Sequence, residues 1–513
     1  GFMYSPGYLH QRILPDGWQD NIREFLDREA APVRRVTDSA GRQLLLDVPG
    51  ITPSIKVAVW RVDVGKVPLY LLDTDIPENT PQARAISSRL YTGDKEQRLV
   101  QEIVLGIGGR KVLSELGIDF SAVHLNEGHP SFALLERTRE FIEDGLSFPD
   151  ALARVRGTSV FTTHTPVAAG HDVFPAPLID KYFSGYYPAL GIDRDTFLDL
   201  GRNPGDPAGM FNMAAFALKF TAYHNAVSLN HGIVSRRMWH HLWPDLVPEQ
   251  VPIDVITNGV HLPTWMNQRM EGLFSKYIGP VYPHWQQEHD NPSLWEMIDE
   301  IPDKELWSLH LWLKAKLFNR IRERKRQRWA SHLKEPLNLV ADGLMLNPTV
   351  LTIGFARRFS SYKRADLIFH DPDRLKRIVT NRWLPVQIIF AGKAHPDDTE
   401  GKQILQRIYR YALTPEFAGR IAFVEDYGEQ TAQYLVHGVD VWLNNPLPPM
   451  EACGTSGMKA ALNGVLNCSI RDGWWLEGYN GKNGWAFGGE EWSPERDAMD
   501  AAELYTLLEK EII

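Results

Sequence analysis

The sequence predicts an α/β protein built as two lobes that face each other across a cleft. Three observations predict it. At 513 residues the chain is too long for one hydrophobic core, so two or three domains are expected. Short apolar runs of strand length alternate with segments of helical period. Polar residues gather just past the ends of those runs, as they do at the carboxyl ends of parallel strands, where ligands bind.

Taken in order, 56–74 reads as two strands joined at Gly65-Lys66. Helical period over 95–105, at Leu99, Ile103 and Leu105, is expected to stop at Gly106, with Gly108-Gly109 a break or a second start. Residues 122–127 read as a buried strand, followed by Gly128-His129-Pro130 and a helix over 132–143. Residues 159–163 form another buried strand, running into His164-Thr165-Pro166. Helical period spans 211–230, and His240-His241 marks a structural helix end. A short strand over 252–256 ends in Thr257-Asn258-Gly259. The domain boundary is placed there, giving an N-terminal lobe over 1–255 and a C-terminal lobe over 256–513. The segment 290–338 reads as helical, and its six basic residues between Arg320 and Arg328 as a solvated face. Further strands are expected at 350–356, 386–391, 421–424, 439–443 and 465–470, and a last helix over 503–513.

Bulk properties narrow the function. Hydrophobic content of 43% and charged content of 23% are those of a globular protein. A net charge of −9 argues against nucleic acid and anionic membranes as partners. No apolar run reaches the roughly eighteen residues of a membrane span. Two cysteines are too few for a disulfide framework or a zinc cluster and suit a reducing cytoplasm. His124, His129, His164 and His171 lack metal-site spacing, so no metal is expected. The 16 Trp and 17 Tyr read mostly as ordinary core and surface aromatics. The start, Gly1-Phe2-Met3-Tyr4, has no basic leader and reads as the middle of a domain.

Two stretches carry chemistry. In the first, Glu451-Ala-Cys-Gly-Thr-Ser-Gly-Met-Lys459, a glycine-rich turn feeds a short helix expected over 458–462. Such a turn aims unpaired N–H groups at one point with the positive end of the helix dipole behind them, which seats a phosphate. The spacing is neither a Walker A loop, a dinucleotide fingerprint nor a hydrolase elbow. A lysine, placed by this reading at the helix start, suits a phosphate-bearing aldehyde cofactor held as a Schiff base. In the second, Arg357-Arg358-Phe-Ser-Ser-Tyr362-Lys363-Arg364, four cations stand within eight residues at a strand's carboxyl end. That is a strong anion site.

The first stretch resembles the pyridoxal-phosphate segment of the α-glucan (glycogen, starch, maltodextrin) phosphorylases, in the wording of their short bacterial and archaeal branch. The second resembles their substrate-phosphate motif, Arg-x-x-x-Tyr-Lys-Arg. The resemblance implies two Rossmann-like lobes of the GT-B glycosyltransferase type. It implies pyridoxal 5'-phosphate on Lys459, with Gly454, Thr455 and Ser456 cradling its phosphate and Arg357 nearby, acting more through its backbone than its side chain. Arg358 and Lys363 would hold inorganic phosphate or the sugar phosphate, and Tyr362 would touch the sugar. Glu451, Cys453, Gly454 and Asn258 would contact the glucosyl unit, and the main-chain carbonyl of His164 would face it. The implied reaction is phosphorolysis of the terminal α-1,4 bond of an α-glucan or maltodextrin to α-glucose 1-phosphate with retention, the cofactor phosphate shuttling the proton. Two phosphates held close repel, so the cations at 358 and 363 are needed; Lys363→Ala is expected to lower turnover more than stability.

Family members carry an earlier segment with a Gly-Gly-Leu-Gly loop, absent from this sequence, and continue beyond the last helix. The reading is therefore of a chain incomplete at both ends, whose oligomeric state, a homodimer included, and allosteric control are open. A nucleotide-sugar glucosyltransferase of the starch or glycogen synthase kind and an inactive glucan-binding fragment stand as alternatives.

Overall fold

The computed structural model describes residues 1–4, 10–22, 26–49, 51, 54–88, 93–330, 340–341, 343–489 and 493–513. Contacts divide the chain into two units. One contains residues 1–9 and 23–256; the other contains 10–22 and 257–513.

The first unit holds a four-stranded parallel sheet, in the order Asp254–Val255, Tyr223–Ala226, Ser159–Thr162, Val123–Asn126. An antiparallel sheet of Arg34–Arg35, Leu45–Val48, Ile55–Val64 and Val67–Asp73 belongs to the same unit. Its long hairpin turns at Gly65 with φ +58°, as the Gly-Lys pair suggested. Three expectations change here. The helix Lys95–Ile103 does not stop at Gly106. It continues through a π-helical segment, Val104–Gly108, into Gly109–Glu115. A Cβ at Gly106 would stand 2.8 Å from Ala133 N and Phe132 Cβ, so this glycine admits a neighbouring helix rather than ending its own. The strand Val123–Asn126 is a sheet edge with only Leu125 buried, not a buried strand. The helix expected over 211–230 is two helices, Met213–Phe220 and Leu229–Trp239, with the strand Tyr223–Ala226 between them. Asn212 and Ser228 cap the two helices with their side chains.

The second unit is built on a six-stranded, all-parallel sheet. Its order is Ile421–Val424, Val386–Ala391, Leu351–Ala356, Val441–Asn444, Leu466–Ile470, Gly484–Phe487. Counted along the chain this is 3-2-1-4-5-6, the Rossmann order, and it reverses between Leu351–Ala356 and Val441–Asn444. The five earlier strands are buried runs, as a sheet covered on both faces requires. The sixth was not read from sequence; it is only four residues long and carries a glycine at its start.

A hairpin from the chain's beginning, His10–Ile13 with Gln19–Ile22, packs in this second unit. Buried Gln11 and Gln19 donate to the carbonyls of Gly392 and Ala394, at 2.8 and 2.9 Å, just past the strand Val386–Ala391. The basic helix Asp303–Ala330 is not simply solvated. Arg324 donates to Thr431 Oγ1 at 2.7 Å and Arg320 to Gln430, so this face docks on the helix Glu429–Gly438. Residues 331–338 of that expected helix lie outside the described residues, as do 5–8 of the opening segment.

Candidate active site

The order reversal in the second unit determines where a ligand can sit. Neighbouring strands at that point send their following segments to opposite sides, which opens a crevice at their carboxyl ends. Strand Leu351–Ala356 delivers Arg357 to Arg364, and strand Val441–Asn444 delivers the segment that leads to the glycine-rich turn. Gly392 lets the chain pass: a Cβ there would lie 1.8 Å from Arg357 O. Arg364, left-handed at φ +47°, ties the two segments together. It donates to the carbonyls of Asn445 and Pro446 at 3.0 and 2.9 Å and pairs with Asp497 and Asp500 at 2.8 Å each. One of the four cations of the basic run is therefore committed to the scaffold.

Glu451 is the hub of the remainder. Arg357 and Lys363 both bond its Oε2, and all three side chains are nearly buried. Burial would raise the Glu451 pKa, but Arg357 and then Lys363 override it and hold the carboxyl down at about 2. Burial, then the neighbouring Arg357, pushes the Lys363 ammonium below its usual range, with Glu451 opposing. The Arg357 Nη1 is buried with no hydrogen-bond partner among the described residues. Such a donor is costly unless a ligand meets it. Arg358 is exposed, and the Tyr362 ring lies 4.5 Å from Lys363 Nζ.

Asp472 and Gly473 hold the glycine-rich turn from below. Asp472 Oδ2 accepts the Glu451 N–H at 2.9 Å, and Cys453 O accepts the Trp474 N–H at 2.8 Å. Asn258 hydrogen-bonds the Cys453 thiol, whose pKa burial pushes up to about 12. Gly454 caps the helix Thr455–Ala461 in a left-handed conformation, φ +86°. The helix starts three residues earlier than expected, so Lys459 lies in its last turn, not its first. The N–H groups of Thr455 and Ser456 are first-turn donors with no partner inside the helix. Ser456 Oγ accepts from Trp442 Nε1 at 3.2 Å, which anchors the helix to the central strand Val441–Asn444. Lys459 Nζ lies 3.8 Å from the centre of the Trp265 ring and forms no ion pair among the described residues. Burial lowers its pKa, with Glu429 opposing.

His164 belongs to the first unit, just past strand Ser159–Thr162. Its Nε2 is 3.0 Å from Asn126 Oδ1, and burial lowers its pKa. The same unit holds a partly buried charge network of Arg98, Glu102, His129 and Asp172. Arg98 lies 2.9 Å from Asp172 and 3.2 Å from Glu102. Burial lifts Glu102 to about 8; for His129, Asp172 and Glu102 outweigh burial and lift it to about 9. The ligand-type atoms of Glu102, His129 and Asp172 fall within 4.8 Å of one another, but Arg98 already supplies the cation there.

The reading from sequence missed three residues. Tyr427, next to Arg357 electrostatically, follows the strand Ile421–Val424, and its place past a strand end was a usable signal. Trp265 contacts Lys459 from far along the chain, with no spacing signal. Glu127, treated only as a strand end, bonds the backbone of His164.

A Rossmann switch point that brings a cation-held carboxylate and a glycine-capped helix bearing a lysine onto neighbouring strand ends suits an anionic or sugar ligand. The chain belongs to the carbohydrate phosphorylase family, a class of glycosyltransferase enzymes: the family model matches residues 99–488. It is 50% identical over its whole length to a glycogen phosphorylase of Aquifex aeolicus, covering 73% of that protein. It is 45% identical to a maltodextrin phosphorylase of Thermococcus litoralis, over 100% of the chain and 60% of that protein. It is 42% identical to a glycogen phosphorylase of Mycobacterium tuberculosis, over 99% of the chain and 60% of that protein.

Proposed function

We propose that the protein is an α-1,4-glucan phosphorylase, releasing α-glucose 1-phosphate from the end of a glucan or maltodextrin with retention. The observation that carries this reading is Glu451 gripped by Arg357 and Lys363 at the head of the glycine-rich turn. A glycosidase needs a paired acid and nucleophile, the acid with a raised pKa. Glu451 is held ionised instead, so it accepts hydrogen bonds from sugar hydroxyls and does not donate a proton. Cys453, Gly454, Asn258 and Tyr362 complete the second unit's glucosyl contacts in this reading, and the resemblance gives the His164 carbonyl a glucosyl contact of its own. Arg358 and Lys363 receive the phosphate, whose charge needs offsetting wherever a second phosphate lies close.

The residues fit pyridoxal 5'-phosphate as cofactor. Lys459, with a lowered pKa and no ion-pair partner among the described residues, would hold its aldehyde; the first-turn N–H groups of Thr455 and Ser456, with Gly454, would hold its phosphate. The unpartnered Arg357 Nη1 supplies a further buried donor for an anion. When bound, the cofactor's phosphate supplies the acid and base for the proton that the glycosidic oxygen needs. The two-lobed GT-B architecture, a homodimer and residence in the cytoplasm belong to the same proposal. The two buried free thiols suit a reducing compartment. Among the described residues no helix is long and apolar enough to cross a membrane.

Borohydride reduction of the protein after incubation with pyridoxal 5'-phosphate, followed by peptide mapping, tests the cofactor. A pyridoxyl adduct on Lys459 is expected; its absence would favour a nucleotide-sugar glucosyltransferase, which has no use for that lysine.

A further inference from the structure

Glu127 ends the strand Val123–Asn126 in a left-handed conformation, φ +65°. Non-glycine residues adopt that region only where their surroundings over-determine it. Its own N–H still bonds Thr162 O at 3.0 Å, so the sheet ladder is complete before the chain turns. The following Gly128 sits where a Cβ would stand 2.9 Å from Met213 Cβ, and that close approach fixes the turn. The turn directs the Glu127 carboxylate sideways, to the end of the adjacent strand.

There one oxygen meets two consecutive residues. Glu127 Oε1 accepts the backbone N–H of His164, and it accepts the Thr165 hydroxyl at 2.8 Å. The other oxygen lies 3.8 Å from His171 Nδ1. Asn126, one residue earlier, holds the His164 ring through Nε2 at 3.0 Å. The Thr165 N–H lies 3.4 Å from Thr163 Oγ1. His164 is thus restrained at its ring, at its own N–H and at the residue after it. A carboxyl oxygen with two lone pairs can take both Oε1 bonds at once.

We propose that Glu127 is a positioning residue: it holds the His164 N–H and the hydroxyl of the next residue, Thr165, and so fixes the direction of the His164 carbonyl between them. The inference rests on the phosphorylase reading, in which that carbonyl faces the reacting glucosyl unit. The carboxylate touches no reacting atom; it acts through the peptide N–H of His164 and the hydroxyl of Thr165. The strain at Glu127 has a use on this view, since a relaxed extended backbone at that position would carry the side chain away from the neighbouring strand end.

Three variants of the full protein test it: Glu127→Ala, Glu127→Gln and Glu127→Asp. Misplacing a catalytic contact by about 1 Å costs ~100-fold. Glu127→Ala should therefore lose ~100-fold in kcat for maltodextrin phosphorolysis, while KM stays near wild type. Glu127→Gln keeps an acceptor at Oε1 and should recover to within ~5-fold of wild type; Glu127→Asp, one methylene short, should not. Hydrogen exchange of the peptide containing His164 and Thr165 reads the clamp without reference to activity. It should quicken in Glu127→Ala and stay slow in Glu127→Gln. Unchanged exchange in Glu127→Ala, or a glutamine variant no better than alanine with its melting temperature intact, would overturn the clamp. Quickened exchange in a protein whose wild type releases no glucose 1-phosphate would overturn its catalytic use, and the phosphorylase reading with it, but not the clamp.

Discussion

Arg358 and Lys363 were read from one motif, yet they stand in different surroundings, and that separates what their removal does. Lys363 is buried on Glu451. Removing one partner of a buried ion pair costs about 3–5 kcal/mol. Lys363→Ala should therefore lower the melting temperature as well as turnover, with turnover the larger loss. Arg358 is exposed, where substitutions usually change stability by less than about 0.5 kcal/mol. Arg358→Ala should lower kcat ~100-fold with little change in melting temperature, as loss of one preorganised charge contact does. Phosphorolysis rates beside thermal unfolding curves check the pair; an Arg358→Ala protein of full activity would remove that residue from the phosphate site. Residue types and spacing made the two cation positions legible. The commitment of Arg364 to Asp497 and Asp500 was not, because those partners lie more than a hundred residues away. Trp265 escaped notice for the same reason.

Among the elements, the helix Thr455–Ala461 is held by close packing more than by its own seven residues, too few to be stable alone. Gly457 admits that packing. A Cβ there would stand 2.5 Å from Asn467 Oδ1 and 3.0 Å from Trp474 Nε1. Gly457→Ala should push the helix off strand Leu466–Ile470 and weaken pyridoxal 5'-phosphate binding while the rest of the unit still folds. Cofactor absorbance titrated into wild type and variant measures it, and equal affinities would refute the packing role. The strands at 351–356, 386–391 and 421–424 were legible because buried parallel strands are short unbroken apolar runs. The stretch 211–230 was misread for a related reason. Met213–Phe220 is apolar apart from Lys219, and the strand Tyr223–Ala226 that follows offers no alternation to mark the change. The glycines at 106 and 108 misled because a glycine admitting a neighbour looks, in sequence, like one that ends a helix.

For the whole molecule, the α/β class followed from the alternation of runs, but the strand order did not. Order is set by which distant segments pair, and a single sequence carries no record of that. The 3-2-1-4-5-6 order, with the basic run and the glycine-rich turn leaving neighbouring strands at its reversal, emerges only in the folded chain. The hairpin His10–Ile22 joining the second unit was equally hidden, since its bonds to Gly392 and Ala394 span more than 370 residues. The proposal that these features serve phosphorolysis is tested most directly by one measurement. Purified protein supplied with pyridoxal 5'-phosphate, maltodextrin and inorganic phosphate should release α-glucose 1-phosphate in proportion to phosphate, and the Lys459→Ala variant should release none. Glucose 1-phosphate formed equally by the lysine variant, or none formed by the wild type under any phosphate concentration, would contradict it.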